Sequence, residues 1–256
     1  MPESKIAIFI PAYNAAYTLP VVLDRIPAGL REKVQRIFVI DNASPDNTYL
    51  IGIGYREAKG LHNLEVFRNE TNRGYGGSQK MAYRYAIDNG FDIVVMLHGD
   101  AQYAPEKIPY LLEPLERDEA DMVFGSRIAG LPLEGGMPLY KFLGNKFLTA
   151  VENRILDMRL SEFHSGFRAF RCSALAKIPF HLCSDDYHFD TDIIIQLKIK
   201  GQRIAELPIP TYYGDEKCHV NVVRYGCNIL KSVLTYWLWS RGWISVEKFD
   251  ACRPRP

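Results

Sequence analysis

Short apolar runs alternate with amphipathic stretches through the first half of the chain, and each run stops at polar turn formers. Lys5–Ile10 predicts a strand ending at Pro11-Ala12-Tyr13-Asn14, where proline removes a ladder donor and forces a turn. Leu19, Val22, Leu23 and Ile26 recur at helical spacing behind Thr18, a candidate N-cap with Pro20 tolerated in the first turn. Arg36–Ile40 predicts a second strand closing on Asp41-Asn42-Ala43-Ser44-Pro45-Asp46-Asn47-Thr48. Glu65–Arg68 predicts a third, running into Asn69–Gly77, with a helix from about Ser78 to Asn89 behind it. Ile93–Leu97 is uninterrupted apolar sequence, the mark of a strand covered on both faces, and breaks at His98-Gly99-Asp100. A helix after Pro105 and a strand at Met122–Phe124, ending in Gly125-Ser126-Arg127, complete the alternation.

Such alternation predicts an α/β fold, a doubly wound and mostly parallel sheet with right-handed crossovers. Every polar cluster then follows a strand and falls in one crevice at the carboxyl edge. If His98 to Gln102 is extended, the side chains of His98, Asp100 and Gln102 share a face and form a half-shell for a divalent cation; the alternative is a strand end with a solvated acid. Gly74, Gly76 and Gly77 permit close backbone approach, and amides opening a helix there favour an anion, unless the stretch is a plain surface loop. No GxGxxG follows the first strand, so the dinucleotide fingerprint is absent.

The second half is less regular. Gly130–Pro138 has no period and predicts a mobile loop over the crevice. Leu143, Phe147, Leu148, Val151 and Ile155 mark a helix, and Ser165–Arg171 alternates, sending Phe167 and Arg168 to opposite faces. Asp190–Lys200 predicts a helix, Gln202–Pro208 a short strand, and Val220–Trp243 an aromatic-rich helix. Residues 1–219 thus make one domain, with 220–256 as a carboxyl-terminal helical extension.

Composition narrows the class. With 256 residues, 47% hydrophobic and 24% charged, the chain is an ordinary globular one. A net charge of +1 argues against a dedicated nucleic-acid binder, whose affinity comes from phosphate neutralisation. Five scattered cysteines without a CxxC pair indicate neither a zinc knuckle nor a disulfide scaffold, and read as reduced thiols of a cytoplasmic protein. The apolar amino-terminal run breaks at Pro11, too short for a signal peptide, and no stretch approaches the roughly 18 apolar residues of a spanning helix.

The order of motifs says more than any one of them. Pro-Ala-Tyr-Asn, Asp-Asn-Ala-Ser-Pro-Asp-Asn-Thr, Asn-Arg-Gly before a helix, an acid at the fourth strand end, Gly-Ser-Arg and Ser-Gly-Phe-Arg together resemble the family-two inverting glycosyltransferases of GT-A fold. The likeness, over about residues 5–212, is greatest to the dolichyl-phosphate mannosyltransferase branch and its bacterial polyprenyl-phosphate relatives. It implies that Pro11, Ala12, Tyr13 and Asp41 hold the base and ribose of a UDP- or GDP-linked sugar. Arg73, beside Gly74, would neutralise the diphosphate, with Lys80 a further candidate and Gly99 lying against the nucleotide. Asn42 stands where the family usually has a second acid; an amide still hydrogen-bonds a ribose hydroxyl but brings no charge.

By the same resemblance, the family's DxD is His98-Gly99-Asp100 here, with Asp100 and Gln102 at metal-binding positions and His98 in place of the first acid. The cofactor implied is Mn2+ or Mg2+. Imidazole is softer than carboxylate and ordinarily protonates near about pH 6.5, so it favours manganese and weakens in acid. Its alternative role is an outer hydrogen bond. His219 is a further candidate for metal or diphosphate, or else a cap.

Arg127, Ser165 and Arg168, with Arg171 nearby, would gather the phosphate of a polyprenyl phosphate acceptor, which is already ionised and needs no base. For a hydroxyl acceptor, Asp192 is the candidate base, Asp190 being favoured by the helix dipole; Glu162 would organise the Ser-Gly-Phe-Arg strand. Glycan or soluble hydroxyl acceptors, and a non-catalytic sugar-nucleotide-binding protein, stay open as alternatives. The 220–243 helix, flanked by Arg224, Lys231, Arg241 and Lys248, either lies in the bilayer interface on the inner face of the cytoplasmic membrane or packs on the domain or a homodimer partner.

Overall fold

A computed structural model describes residues 4–211, 213 and 221–253 of the chain. Seven strands form one sheet: β1 (Ile6–Ala12), β2 (Arg36–Asp41), β3 (Leu64–Arg68), β4 (Ile93–Met96), β5 (Met122–Ser126), β6 (Arg168–Arg171) and β7 (Ile204–Pro208), in the order β3-β2-β1-β4-β6-β5-β7. All neighbours are parallel except β6, which runs antiparallel to both β4 and β5. The expected doubly wound sheet is therefore present, with one reversed strand. That reversal brings the start of β6, rather than its end, to the edge where β1, β2, β4, β5 and β7 finish, and the strand order turns back at β1 and β4, where ligands collect in such sheets.

The ten helices of the described residues are α1 (Thr18–Arg25), α2 (Ala28–Lys33), α3 (Thr48–Lys59), α4 (Gly74–Asp88), α5 (Ile108–Glu116), α6 (Leu139–Leu156), α7 (Cys172–Leu175), α8 (Phe189–Ile199), α9 (Val222–Ser240) and α10 (Glu247–Asp250). Strand periodicity sorts them into two layers. Ile6, Ile8 and Ile10 of β1 face one way and pack with Leu19, Val22 and Leu23 of α1, Tyr55 of α3 and Leu111 of α5. Ala7 and Phe9 face the other way, into a core with Tyr83 of α4, Phe163, Ile193 of α8, Val233 and Trp239 of α9 and Phe249 of α10. The carboxyl-terminal extension is thereby built into the second layer, with α9 packed on α6 and α8.

Several expectations shift in detail. α4 begins at Gly74, about a turn earlier than the periodicity suggests, because its glycines are helical. The stretch Gly130–Pro138 is a series of hydrogen-bonded turns seated on the segment after β7, with Gly130 against Ile209 and Gly135 bonded to Tyr213 at 2.9 Å. Thr18 is not an N-cap but the first residue of α1.

Candidate active site

The three central strand ends are tied together by their own backbone. Asn42 N donates to the Ala12 carbonyl (2.9 Å), Gly99 N to the Pro11 carbonyl (3.3 Å), and Asn14, turned into the left-handed region at φ 53°, donates its amide to Ser44 Oγ (3.0 Å). Thr18 spends its hydroxyl on the Gly99 carbonyl (2.6 Å), pinning the turn after β4 to α1. Pro11, Ala12, Tyr13, Asp41, Asn42 and Gly99 consequently share one sheet edge, with Tyr13 41% exposed at its rim.

Asp41 is fully buried. One carboxylate oxygen accepts the Ser44 amide (3.0 Å); Oδ2 accepts no hydrogen bond and lies 3.5 Å from Nε of Arg68. Arg68 also donates to the Ser44 carbonyl (3.1 Å), so this half-exposed arginine lies across the acid. Asn42 departs from the ribose-binding expectation. Its Nδ2 donates to Asn72 Oδ1 (2.9 Å) and the Gly74 carbonyl (3.2 Å), while its Oδ1 accepts from Asn69 Nδ2 (2.8 Å) and Arg73 N (2.9 Å). Every donor and acceptor is used in shaping the 69–74 turn, a task a carboxylate cannot perform because it has no N–H to give. Arg73, held by its backbone, leaves an exposed side chain at the edge.

The α4 glycines do not cradle an anion. A Cβ on Gly76 would collide with the Ser184 carbonyl oxygen, and the Gly76 amide is already given to the Asp185 carbonyl (2.8 Å). Close packing of the 184–188 turn on the helix start, rather than phosphate, is what the glycines serve. Lys80 is likewise engaged, 2.8 Å from Asp185.

After Met96 the chain leaves the extended conformation, turning at Gly99–Ala101 with Ala101 at φ 64°. His98, Asp100 and Gln102 are thus grouped by a turn and not by strand alternation. Gln102 N caps Asp100 Oδ1 (3.1 Å), and His98 Nδ1 stands 3.8 Å from Asp100 Oδ2. Burial pushes the Asp100 carboxyl up, but His98 and the Gln102 amide outweigh it and hold it below the usual carboxylate range. Among the described residues no third His, Cys, Asp or Glu joins the pair. Two donors each about 2.2 Å from one cation and set 90–120° apart are themselves about 3–4 Å apart, and the 3.8 Å between His98 Nδ1 and Asp100 Oδ2 matches that spacing.

Behind His98 lies a network that the sequence did not disclose. Tyr75 stands 3.4 Å from His98 Nε2 and donates its hydroxyl to Asp190 Oδ2 (2.9 Å); Gln79 Nε2 donates to Asp190 Oδ1 (3.3 Å). Burial, together with the charge of Asp190, pushes the Tyr75 hydroxyl well above its ordinary range. Arg168, expected to bind acceptor phosphate, belongs to this network instead. It is wholly buried, donates to the carbonyls of Ser165 (2.6 Å), Phe163 (2.7 Å) and Asp190 (3.1 Å), and pairs with the Asp190 carboxylate at 3.4 Å. Ser165 is buried beside it, its carbonyl taken by Arg168.

Arg127 does reach the edge, at the end of β5. Glu162, fully buried, clamps it through Nε (2.9 Å), Nη2 and the backbone amide (2.8 Å), and Arg127 further donates to the His164 carbonyl (3.0 Å) and Tyr213 Oη (3.3 Å). Glu162 therefore organises Arg127 rather than the strand after it. Asp192 corrects the general-base expectation: it is buried against Lys248 Nζ (2.7 Å), Ser232 Oγ (2.9 Å) and Ser184 N (3.1 Å), on the α9 side of α8. Arg171 is at the far end of β6, bonded to the carbonyls of Ala120 (3.2 Å) and Leu115. His219 lies outside the described residues.

Comparison with known proteins bears on this arrangement. Residues 7–179, more than half of the chain, match glycosyl transferase family 2. The chain belongs to that family, and is a glycosyltransferase. A UDP-N-acetylglucosamine–dolichyl-phosphate N-acetylglucosaminyltransferase of Methanococcus voltae is 29% identical over 225 residues, 84% of this chain and 88% of the relative. An undecaprenyl-phosphate mannosyltransferase of Micrococcus luteus is 29% identical over 240 residues, covering 87% and 94%. Glucosyl-3-phosphoglycerate synthase from Mycobacterium tuberculosis, solved in complex with Mn2+, uridine diphosphate and phosphoglyceric acid, superposes with a TM-score of 0.67 at 18% identity, over 95% of this chain and 80% of its own. At that identity the likeness speaks for the GT-A-type fold. No helix among the described residues is long and apolar enough to cross a membrane.

Proposed function

We propose that this glycosyltransferase moves a hexose, with inversion, from a UDP- or GDP-linked donor to a polyprenyl phosphate. The observation that carries the reading is the meeting of Asp41, Arg73 and the His98–Asp100 pair at one sheet edge, where a nucleoside diphosphate would span them. The curated relatives named above are transferases to dolichyl or undecaprenyl phosphate, which supports the acceptor class.

His98 and Asp100 are the residues that would hold a divalent cation, whose chemistry there is neutralisation of charge on the departing diphosphate. Arg73 would add its positive charge on the donor side, and Tyr13 would offer a ring to the base. On the acceptor side a phosphate oxygen attacks the anomeric carbon without a base, which suits a site whose two α8 acids are both committed to cations, Asp190 to Arg168 and Asp192 to Lys248. Arg127, fixed by Glu162, would orient the incoming anion through the part of its guanidinium that faces Tyr213.

The acceptor also implies a membrane surface. Leu139, Tyr140, Leu143 and Phe147 of α6 are each more than half exposed, fall on adjoining turns of one side, and continue from the exposed Leu131 and Leu133. Lys141 and Lys146 accompany them, a complement to anionic headgroups. We therefore assign bilayer contact to α6 rather than α9, whose Ile229, Val233 and Trp239 are buried in the protein.

Incubation of the protein with Mn2+, undecaprenyl phosphate vesicles and a panel of UDP- and GDP-hexoses tests the proposal. The expected result is a glycosyl-phospholipid formed from one donor. Transfer to soluble sugars with none to lipid phosphate would overturn the acceptor assignment.

A further inference from the structure

Building on the lipid-phosphate reading just given, on which it rests, we propose that Tyr103 supplies a second hydrogen-bond donor to the acceptor phosphate, holding one of its oxygens while Arg127 holds another. The third oxygen is left for the attack on the anomeric carbon.

A count of donors leads there. A guanidinium has five N–H groups. Arg127 gives four of them to the protein: Nε and one hydrogen of Nη2 go to Glu162, the other of Nη2 to the His164 carbonyl (3.0 Å), and one of Nη1 to Tyr213 Oη (3.3 Å). One N–H is left, on a side chain that is 15% exposed. A phosphate monoester presents three terminal oxygens, so a single N–H leaves two of them unheld. Arg168 does not make up the difference, being wholly buried and turned to the carbonyls of Ser165, Phe163 and Asp190, and Ser165 is itself buried.

Tyr103 has the donor that is missing. Its oxygen accepts the Gly166 amide (2.9 Å), and its hydrogen goes to no acceptor among the described residues. Packing fixes the ring, which meets His98 edge-on with centroids 5.2 Å apart and lies 5.5 Å from Phe167. Arg127 and Tyr103 hang on one short segment before β6, the first from the His164 carbonyl and the second from the Gly166 amide two residues on. Burial pushes the Tyr103 hydroxyl above its ordinary range; Arg127 on the acceptor side offsets part of this, while Glu162 and, on the donor side, Asp100 add to it, so charges from both halves of the cleft bear on one oxygen. In the transfer, the unheld phosphate oxygen bonds to the anomeric carbon as the bond from that carbon to the diphosphate oxygen breaks and its electron pair leaves with the diphosphate. The Tyr103 hydrogen stays on its own oxygen throughout.

Calorimetry with geranyl phosphate, a short water-soluble polyprenyl phosphate, on the full-length protein and on Tyr103→Phe tests the contact. Phenylalanine keeps the packing on His98 and Phe167 and removes the hydrogen. Geranyl phosphate should bind the variant about 10- to 100-fold more weakly, the loss expected for a hydrogen bond to a charged group, while the nucleoside diphosphate that binds the wild type should stay within twofold. Loss of the Gly166 acceptor by itself would lower the melting temperature without separating the two ligands. If Tyr103→Phe does not fold, the wild type labelled with 13Cζ tyrosine decides: the Tyr103 signal, identified through its ring contact with Phe167, should shift with geranyl phosphate and not with geraniol. Geranyl phosphate affinity unchanged within twofold, equal weakening of lipid phosphate and nucleotide, or an unmoved Tyr103 signal would each overturn the proposal and leave the acceptor reading standing. Failure of geranyl phosphate to bind the wild type at all would remove the acceptor reading, and this inference with it.

Discussion

Asp190 and Asp192 stand two residues apart at the start of α8 and serve opposite sides of the molecule. Two helical residues are separated by about 200° around the axis. Asp190 accordingly meets Tyr75 at 2.9 Å behind the cleft, while Asp192 meets Lys248 at 2.7 Å under the carboxyl-terminal extension. One acid holds Tyr75 and Gln79 behind His98, and the other fastens α10 and α9 to the domain.

Asp192→Ala should therefore act on stability. Removing one partner of a buried ion pair costs about 3 kcal/mol, because Lys248 and the Ser184 amide are left without their acceptor. Urea denaturation should show that loss, with turnover by the folded variant within about twofold of wild type. Turnover abolished at unchanged stability would return Asp192 to the reacting centre.

Asn42→Asp tests the turn that carries Arg73. The acid brings a second acceptor toward Asn72 Oδ1 and the Gly74 carbonyl, both now receiving Nδ2. Losing those bonds should cost about 1–3 kcal/mol and raise KM for the nucleotide sugar more than it lowers kcat. A variant as stable as wild type with lower KM would mean that this position touches ribose after all.

Glu162 gives the acid limb of the stability profile its sign. Burial pushes its carboxyl up, but the charge and hydrogen bonds of Arg127, with His164 and Asn145, more than reverse this and hold it below the ordinary range. A folded value below the unfolded one means that the contribution is complete above the ordinary carboxylate value of about 4.3 and is lost as pH falls through the folded value. Glu162→Gln should flatten stability against pH below about 5, as read by thermal melts across pH 3–7. An acid limb as steep as wild type would contradict the assignment.

His98→Asp restores two carboxylates around the turn after β4. A harder donor set favours magnesium, so the ratio of Mg2+-supported to Mn2+-supported turnover should rise about tenfold. An unchanged ratio would show that His98 does not contact the cation.

Much of this was legible in the sequence, and what was not has identifiable causes. β-branched runs broken by acids and turn formers announced β1, β2 and β4 and their common edge, because burial on both faces leaves no other pattern for them. Asp41 and Asp100 followed from where those runs stop. The direction of β6 was not readable, since Phe167–Arg168 alternates identically whichever way the strand runs. Arg168 looked like an anion-binding group because its partners are backbone carbonyls and Asp190, twenty-two residues away and indistinguishable by composition from Asp192. Tyr75 and Gln79 sit among glycines that suggested a phosphate loop, whereas the glycines admit the Ser184 and Asp185 carbonyls. The four-residue spacing of Tyr75 and Gln79, one helical turn, was the one available signal that they share a face.

The central claim is that Asp100 anchors positive charge where a nucleoside diphosphate lies. Calorimetric titration of UDP and of GDP into the full chain, with and without Mn2+, tests it most directly when repeated on Asp100→Asn. One diphosphate should bind, Mn2+ should tighten it at least tenfold, and Asp100→Asn should abolish that gain while leaving metal-free binding in place. A Mn2+ effect of the same size in Asp100→Asn, or no binding of either diphosphate to the wild type, would contradict the account.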